Sequence, residues 1–296
     1  MTTESKTELI DNSLKSTALD KAGKDLEISA EHETLPLSSF YNDALDDNLI
    51  NNVITCGIHF IALIGFANVG KSTFVASLYH KVMCEGVLSD YDFIDSDTFT
   101  GFERRAHVRN AKLKSSNRNI RTSQQEGHLL SLEFVNKEGL HRKLVISDRS
   151  GETYQTNYVN SVNSVKSDKS LINCKHLILF FIDAETLIDE GKYLGFEDNF
   201  DTLLRQLTSA NVITNNKQFD IIFNKYDKVD SDVKKREFEK NSKNIVDLIE
   251  RYCQTKIDKK FIITSNRMND NEPLNNVFRY IVDSCFIRKQ IVNKRV

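Results

Sequence analysis

From Ile58 onward the chain alternates short apolar runs with longer amphipathic stretches, whereas the first fifty residues follow no sustained period. Ile58-His-Phe-Ile-Ala-Leu-Ile64 is an apolar run of strand length halted by Gly65, which predicts a buried strand. Phe74, Val75, Leu78, Val82 and Met83 then recur at helical spacing and predict a helix over Ser72 to Cys84. Leu129 to Val135 and Arg142 to Ser147 flank the turn-rich Asn136-Lys-Glu-Gly139, the pattern of an antiparallel hairpin. Further strands are expected at His176 to Asp183, Phe219 to Phe223 and Lys260 to Thr264. Helices are expected over 196–210, 231–253 and 274–288.

Strands alternating with helices predict an α/β three-layer sandwich, a mostly parallel sheet covered on both faces, with the hairpin adding one antiparallel edge strand. Residues 1–50, rich in Ser, Thr, Asp, Glu, Lys and Asn, read as a polar and mostly disordered N-terminal arm. A short helix packed on the domain is expected within Leu35 to Ile50, and a single domain over 51–296.

Composition narrows the picture by exclusion. Forty basic against 42 acidic residues leave a net charge of −2, which offers no general footprint for nucleic acid or an anionic membrane. Cys56, Cys84, Cys174, Cys253 and Cys285 are far apart and odd in number, the spacing of reduced thiols rather than of a zinc site or disulfide framework. The N-terminus has no apolar segment of the secretory kind, and the apolar run Leu177 to Ile182 is too short to span a bilayer. These features predict a cytoplasmic protein.

Chemistry enters at Gly65-Phe-Ala-Asn-Val-Gly-Lys71-Ser72, which fits G-x-x-x-x-G-K-[ST] between a predicted strand and a predicted helix. Glycines let the loop's N–H groups turn onto phosphate oxygens, and the following helix aims its positive end at the same anion. Lys71 is expected to reach the β- and γ-phosphates and Ser72 to ligate Mg²⁺, with Gly65, Asn68, Val69, Gly70 and Thr73 completing the nucleotide contacts. Asp148-Arg-Ser-Gly151 follows a predicted strand, so Asp148 is expected at the metal and the Gly151 N–H at the γ-phosphate. Glu152 stands where many GTPases carry a water-orienting glutamine. A carboxylate there could position water but would repel the γ-phosphate, and a simpler reading has it heading the next helix.

Asn224-Lys225-Tyr-Asp227 fits N-K-x-D at the end of another strand. Guanine offers two donors on one edge, which the single carboxylate of Asp227 can accept together, and adenine has no matching pair. Asn224 is expected to tie this loop to the phosphate loop, and the Lys225 stem to pack along the base. Thr264-Ser265-Asn266 stands where a short segment after the last strand contacts the guanine oxygen, with Ser265 and Asn266 as candidates. Thr122 is the expected switch I metal ligand, with Thr98 and Thr100 farther from the following strand. Arg121, beside Thr122, is the candidate arginine finger among Arg104, Arg105 and Arg121, against the plainer reading of exposed surface arginines.

Several of these segments together resemble a known family, the double-GTPases of the TRAFAC class found in bacterial conflict and signalling systems. The shared features are the phosphate loop running into a helix with Leu78-Tyr79, Gly101-Phe-Glu-Arg-Arg105, Arg121-Thr-Ser123 before a strand from His128 to Leu132, D-x-S-G-E at Asp148 to Glu152, and N-K-x-D. The resemblance covers about residues 55–285. It implies a Ras-like P-loop GTPase fold with an extended switch I insertion, GTP/GDP and Mg²⁺ as ligands, and a protein partner, either a second GTPase or an effector. The basic C-terminal Arg288-Lys289 and Lys294-Arg295 read as a solvated helix end. Two other readings stay open: a GTP-binding scaffold with little or no hydrolysis, and an ATP-dependent P-loop enzyme.

Overall fold

Two adjacent phenylalanines show how the layers are built. Successive residues of a strand point to opposite faces. In strand Leu177–Asp183, buried along its whole length, Phe181 meets Phe74 of the first long helix at 5.1 Å, while Phe180 meets Phe200 at 6.0 Å on the other side. A strand buried on both faces has to be apolar throughout, which is why it reads Leu-Ile-Leu-Phe-Phe-Ile before its terminal Asp183.

The computed structural model describes residues 39–40, 43–45, 58–88, 90–108, 128–174, 176–214, 217–265 and 272–286. They belong to one compact unit, His32–Val296. In chain order the strands are β1 (Ser39–Phe40), β2 (Ala44–Leu45), β3 (Ile58–Ile64), β4 (Val87–Leu88), β5 (Tyr91–Asp95), β6 (Leu129–Val135), β7 (His141–Ser147), β8 (Leu177–Asp183), β9 (Gln218–Asn224) and β10 (Lys260–Ile262). The helices are α1 (Lys71–Glu85), α2 (Phe99–Val108), α3 (Val162–Lys166), α4 (Lys169–Asn173), α5 (Ala184–Leu187), α6 (Glu190–Ser209), α7 (Asp232–Cys253) and α8 (Glu272–Phe286), with a π-helical turn at Thr153–Tyr158.

The main sheet has eight strands in the order β10-β9-β8-β3-β7-β6-β5-β4. Strands β10, β9, β8, β3 and β7 run parallel to one another. The expected antiparallel edge begins with β6, paired to β7 from Leu129↔Ser147 to Val135↔His141. Here the structure goes further than the sequence pattern, because β5 and β4 continue that edge, each antiparallel to the strand before it. Both are short and partly exposed, so neither carries the apolar run that marks a central strand.

Phe278 of α8 packs on Phe74 of α1 at 5.2 Å, placing both helices on one face. On the other face α6 is anchored by Phe196, Phe200 and Leu203, and α7 packs against α6. The segment expected as a short helix before residue 50 is instead the hairpin β1–β2. Ala44 and Leu45 are buried, and Leu45 joins the domain's core. Among the described residues no helix is long and apolar enough to cross a membrane.

One half-buried histidine pair makes stability depend on pH. His59 of β3 lies 4.7 Å from the ring of His176 and shares a hydrogen bond with Ser284 of α8. Burial, with His176 adding to it, pushes His59 down to about 3. The unfolded chain therefore binds a proton that the folded chain refuses, so this group weakens the fold as pH falls from about 6.5 toward 3. His59→Leu is expected to flatten that part of the stability curve by about 1 kcal/mol per pH unit. Chemical denaturation of both proteins at pH 7, 6 and 5 checks it, and parallel curves would contradict it.

Candidate functional site

The loop after β3 is built for a close approach of backbone to a ligand. A side chain at Gly65 would lie 2.6 Å from the Phe181 carbonyl oxygen, and one at Gly70 would fall on Asn224 Nδ2. Asn68 and Gly70 adopt positive φ, 65° and 94°. Gly70 begins α1 without a side-chain cap, and no acidic residue stands in the first turn. A helix start of this kind, with no acidic side chain of its own, suits an anion bound at its positive end. Lys71 is buried, and its Nζ donates to Gly65 O at 2.7 Å and sits 5.4 Å over the Tyr154 ring. Burial pushes its pKa down to about 8, with the nearby Asp148 opposing that shift.

The second motif meets the first side by side. Asp148 follows β7, is fully buried, and accepts a hydrogen bond from Ser72 Oγ on Oδ1 at 3.1 Å. Its Oδ2 takes the Arg105 Nε at 2.7 Å. A hydroxyl and a carboxylate held together at a helix N-terminus are hard oxygen donors of the type Mg²⁺ takes alongside phosphate and water. Among the described residues no group of three or more His, Cys, Asp or Glu gathers into a metal cage, so such an ion would lean on these two oxygens and the phosphates. Gly151 lies against the phosphate loop: a Cβ there would sit 2.5 Å from Ala67 N and closer still to Phe66 O.

Glu152 is half-buried with helical φ and ψ of −65° and −35°, at the start of the π-helical turn. That location matches the simpler reading of Glu152 as a residue heading a helix. Thr98 is buried, and its Oγ1 accepts the backbone N–H of Ser131 at 2.9 Å, so it supports β6. Thr100 is exposed on α2. Thr122, Arg121 and Asn266 lie outside the described residues.

The third motif is tied to the phosphate loop and to Ser265 through one side chain. At the end of β9, Asn224 donates from Nδ2 to Val69 O at 2.8 Å and accepts from Ser265 N on Oδ1 at 2.9 Å. Ser77 Oγ of α1 donates to Ser265 O at 2.9 Å. Lys225 takes φ 61°, and its Nζ pairs with Asp183 at 2.6 Å, which holds the stem of that lysine across the end of β8. Asp227 lies half-buried in the turn Tyr226–Lys228, its backbone N–H donating to Thr264 Oγ1 at 3.3 Å. Phosphate loop, N-K-x-D turn and Ser265 are thereby joined in a single hydrogen-bonded unit at the carboxyl ends of β3, β9 and β10, where ligands of open α/β sheets bind.

Sequence reasoning missed Asp183, although a carboxylate at the end of an apolar strand was the very signal used for Asp148. It also missed Tyr154, whose ring underlies Lys71, and it named Arg105 without finding its partner.

The family model described as Double-GTPase 2 matches residues 59–277. No curated protein matches the chain. Among solved structures, that of nucleolar GTP-binding protein 1 from Plasmodium falciparum aligns over 77% of this chain and 86% of its own, at 19% identity and a TM-score of 0.39.

Proposed function

The chain belongs to the Double-GTPase 2 family, and from that membership we propose that it is a guanine-nucleotide switch that binds GTP with Mg²⁺ and hydrolyses it to GDP. The observation that carries the reading is the bond of Asn224 to both Val69 and Ser265, which joins phosphate and base elements within reach of one nucleotide.

In this reading the loop N–H groups and Lys71 hold the phosphates, and Lys71 exchanges the Gly65 carbonyl for phosphate oxygens. Ser72 and Asp148 would hold Mg²⁺, which would supply positive charge against the phosphate oxygens. Gly151 would offer its N–H to the γ-phosphate, and Thr122 is the candidate for a further ligand of the metal. Arg121 is the candidate to supply positive charge to the transition state. Asp227 selects guanine, with Ser265 and Asn266 near its oxygen and the Lys225 stem along its face. Loss of the γ-phosphate releases the segments around Thr122 and Gly151, and a protein partner, a second GTPase or an effector, reads that change.

A second reading is a GTP-binding module with little turnover. The observation favouring it is Glu152, a carboxylate beside the expected γ-phosphate with the backbone of a helix start. Phosphate release under multiple turnover, with labelled GTP challenged by excess ATP, tests both. The switch predicts Mg²⁺-dependent release that ATP leaves untouched. Tight GTP binding without release would sink turnover by the isolated chain and leave the scaffold, whereas competition by ATP would overturn guanine selection.

A further inference from the structure

Each residue of Gly101-Phe-Glu-Arg-Arg105 has a physical task in α2. The helix is bolted at its start, where Asp97 accepts the Lys143 ammonium at 2.7 Å and the Ser131 hydroxyl at 3.1 Å, next to the Thr98–Ser131 bond. Gly101 lets the Asp43 carbonyl of the β1–β2 hairpin come so close that any side chain would collide with it. Phe102 is fully buried and stacks on Tyr79 at 4.9 Å, and Glu103 accepts the Tyr79 hydroxyl at 2.7 Å. Arg104 pairs with Asp43. Arg105 points the other way, donating from Nη1 to Gly101 O at 2.9 Å and from Nε to Asp148 Oδ2 at 2.7 Å.

We infer that Arg105 is a positioning residue that sets the orientation of the Asp148 carboxylate for the metal. This rests on the Mg²⁺ site proposed above. Asp148 is gripped on one oxygen by Ser72 and on the other by Arg105, so its plane cannot turn without breaking one of those bonds. Oδ1 then faces the Ser72 hydroxyl, the second oxygen of the site. The guanidinium is itself locked by the helix carbonyl and by burial, so it brings orientation at little cost in side-chain freedom. Partners that orient a metal-binding carboxylate typically change metal affinity by roughly 10–100-fold when removed.

The experiment uses the full chain loaded with fluorescent GDP and reads the Mg²⁺ concentration that half-maximally slows its release. Arg105→Ala is expected to raise that concentration about tenfold or more. Arg105→Lys keeps the charge without the fork and is expected to raise it too. Arg104→Ala, on the same helix, is expected to leave it unchanged. Unchanged Mg²⁺ dependence in both Arg105 variants overturns the inference, as does an equal shift in Arg104→Ala, which would mark general loosening of α2. Should the unsubstituted protein release GDP at one rate with and without Mg²⁺, the metal site itself fails, and this inference with it.

Discussion

Asp227→Asn is expected to weaken GTP binding by on the order of 10⁴-fold while creating measurable affinity for xanthosine triphosphate. The carboxylate can accept both guanine donors, N1–H and the exocyclic amine. An amide presents one acceptor and one donor, so its N–H confronts a guanine donor and both groups are left unpaired in a half-buried site. Xanthine carries a carbonyl in place of the amine and restores the match. The backbone of the turn does not depend on the substituted atoms: the N–H of Asp227 reaches Thr264 Oγ1, and that of Tyr226 reaches Ile263 O at 3.2 Å. The loss therefore belongs to recognition rather than to folding. Competition of labelled GTP by each triphosphate is the measurement, and equal losses for both bases would count against Asp227 as the selector.

That loop was legible in the sequence because its chemistry is local. N-K-x-D follows an apolar strand, just as the phosphate loop follows Ile58–Ile64, and each motif is contained in one short run, four residues for the first and eight for the second. The buried strands and long helices were legible for the same reason: the apolar run of β8 and the period of α7 are each written within one segment. What the sequence hid depends on distant partners. α2 opens with Phe-Thr-Gly-Phe, residues of low helix propensity, and it is held by Phe102 on Tyr79 and by the Asp43 carbonyl over Gly101. The β1–β2 hairpin is too short to show a period, and burial of Ala44 and Leu45 against the domain fixes it. Arg105 and Asp148 are 43 positions apart, so no spacing rule could join them. Asp183 and Lys225 are likewise joined only when β8 and β9 pair in register, with Asp183 opposite Asn224.

Gly151→Ala follows from the same kind of long-range contact and is expected to cut GTP turnover by on the order of 10²-fold. The atoms that an added methyl group meets are the Phe66 carbonyl oxygen and the Ala67 nitrogen, both backbone, and one of them is at 2.5 Å. Neither can swing aside as a side chain would. The phosphate loop is itself pinned by Gly65 against the Phe181 carbonyl and by Val69 through Asn224. Yielding therefore falls to the Asp148–Gly151 segment, which must retreat and carry the Gly151 N–H away from the γ-phosphate. A displacement of about 1 Å at a reacting group is enough for a loss of that size. GDP has no γ-phosphate to lose, and Asp227 and the loop N–H groups stay in place, so GDP affinity is expected to change by only about threefold, less than ~1 kcal/mol. The variant should thus bind GTP no better than GDP, a result readable by titration even where turnover is slow. Single-turnover hydrolysis alongside both affinities decides it: a wild-type rate with an undiminished preference for GTP would mean that Gly151 packs against the loop without serving the γ-phosphate.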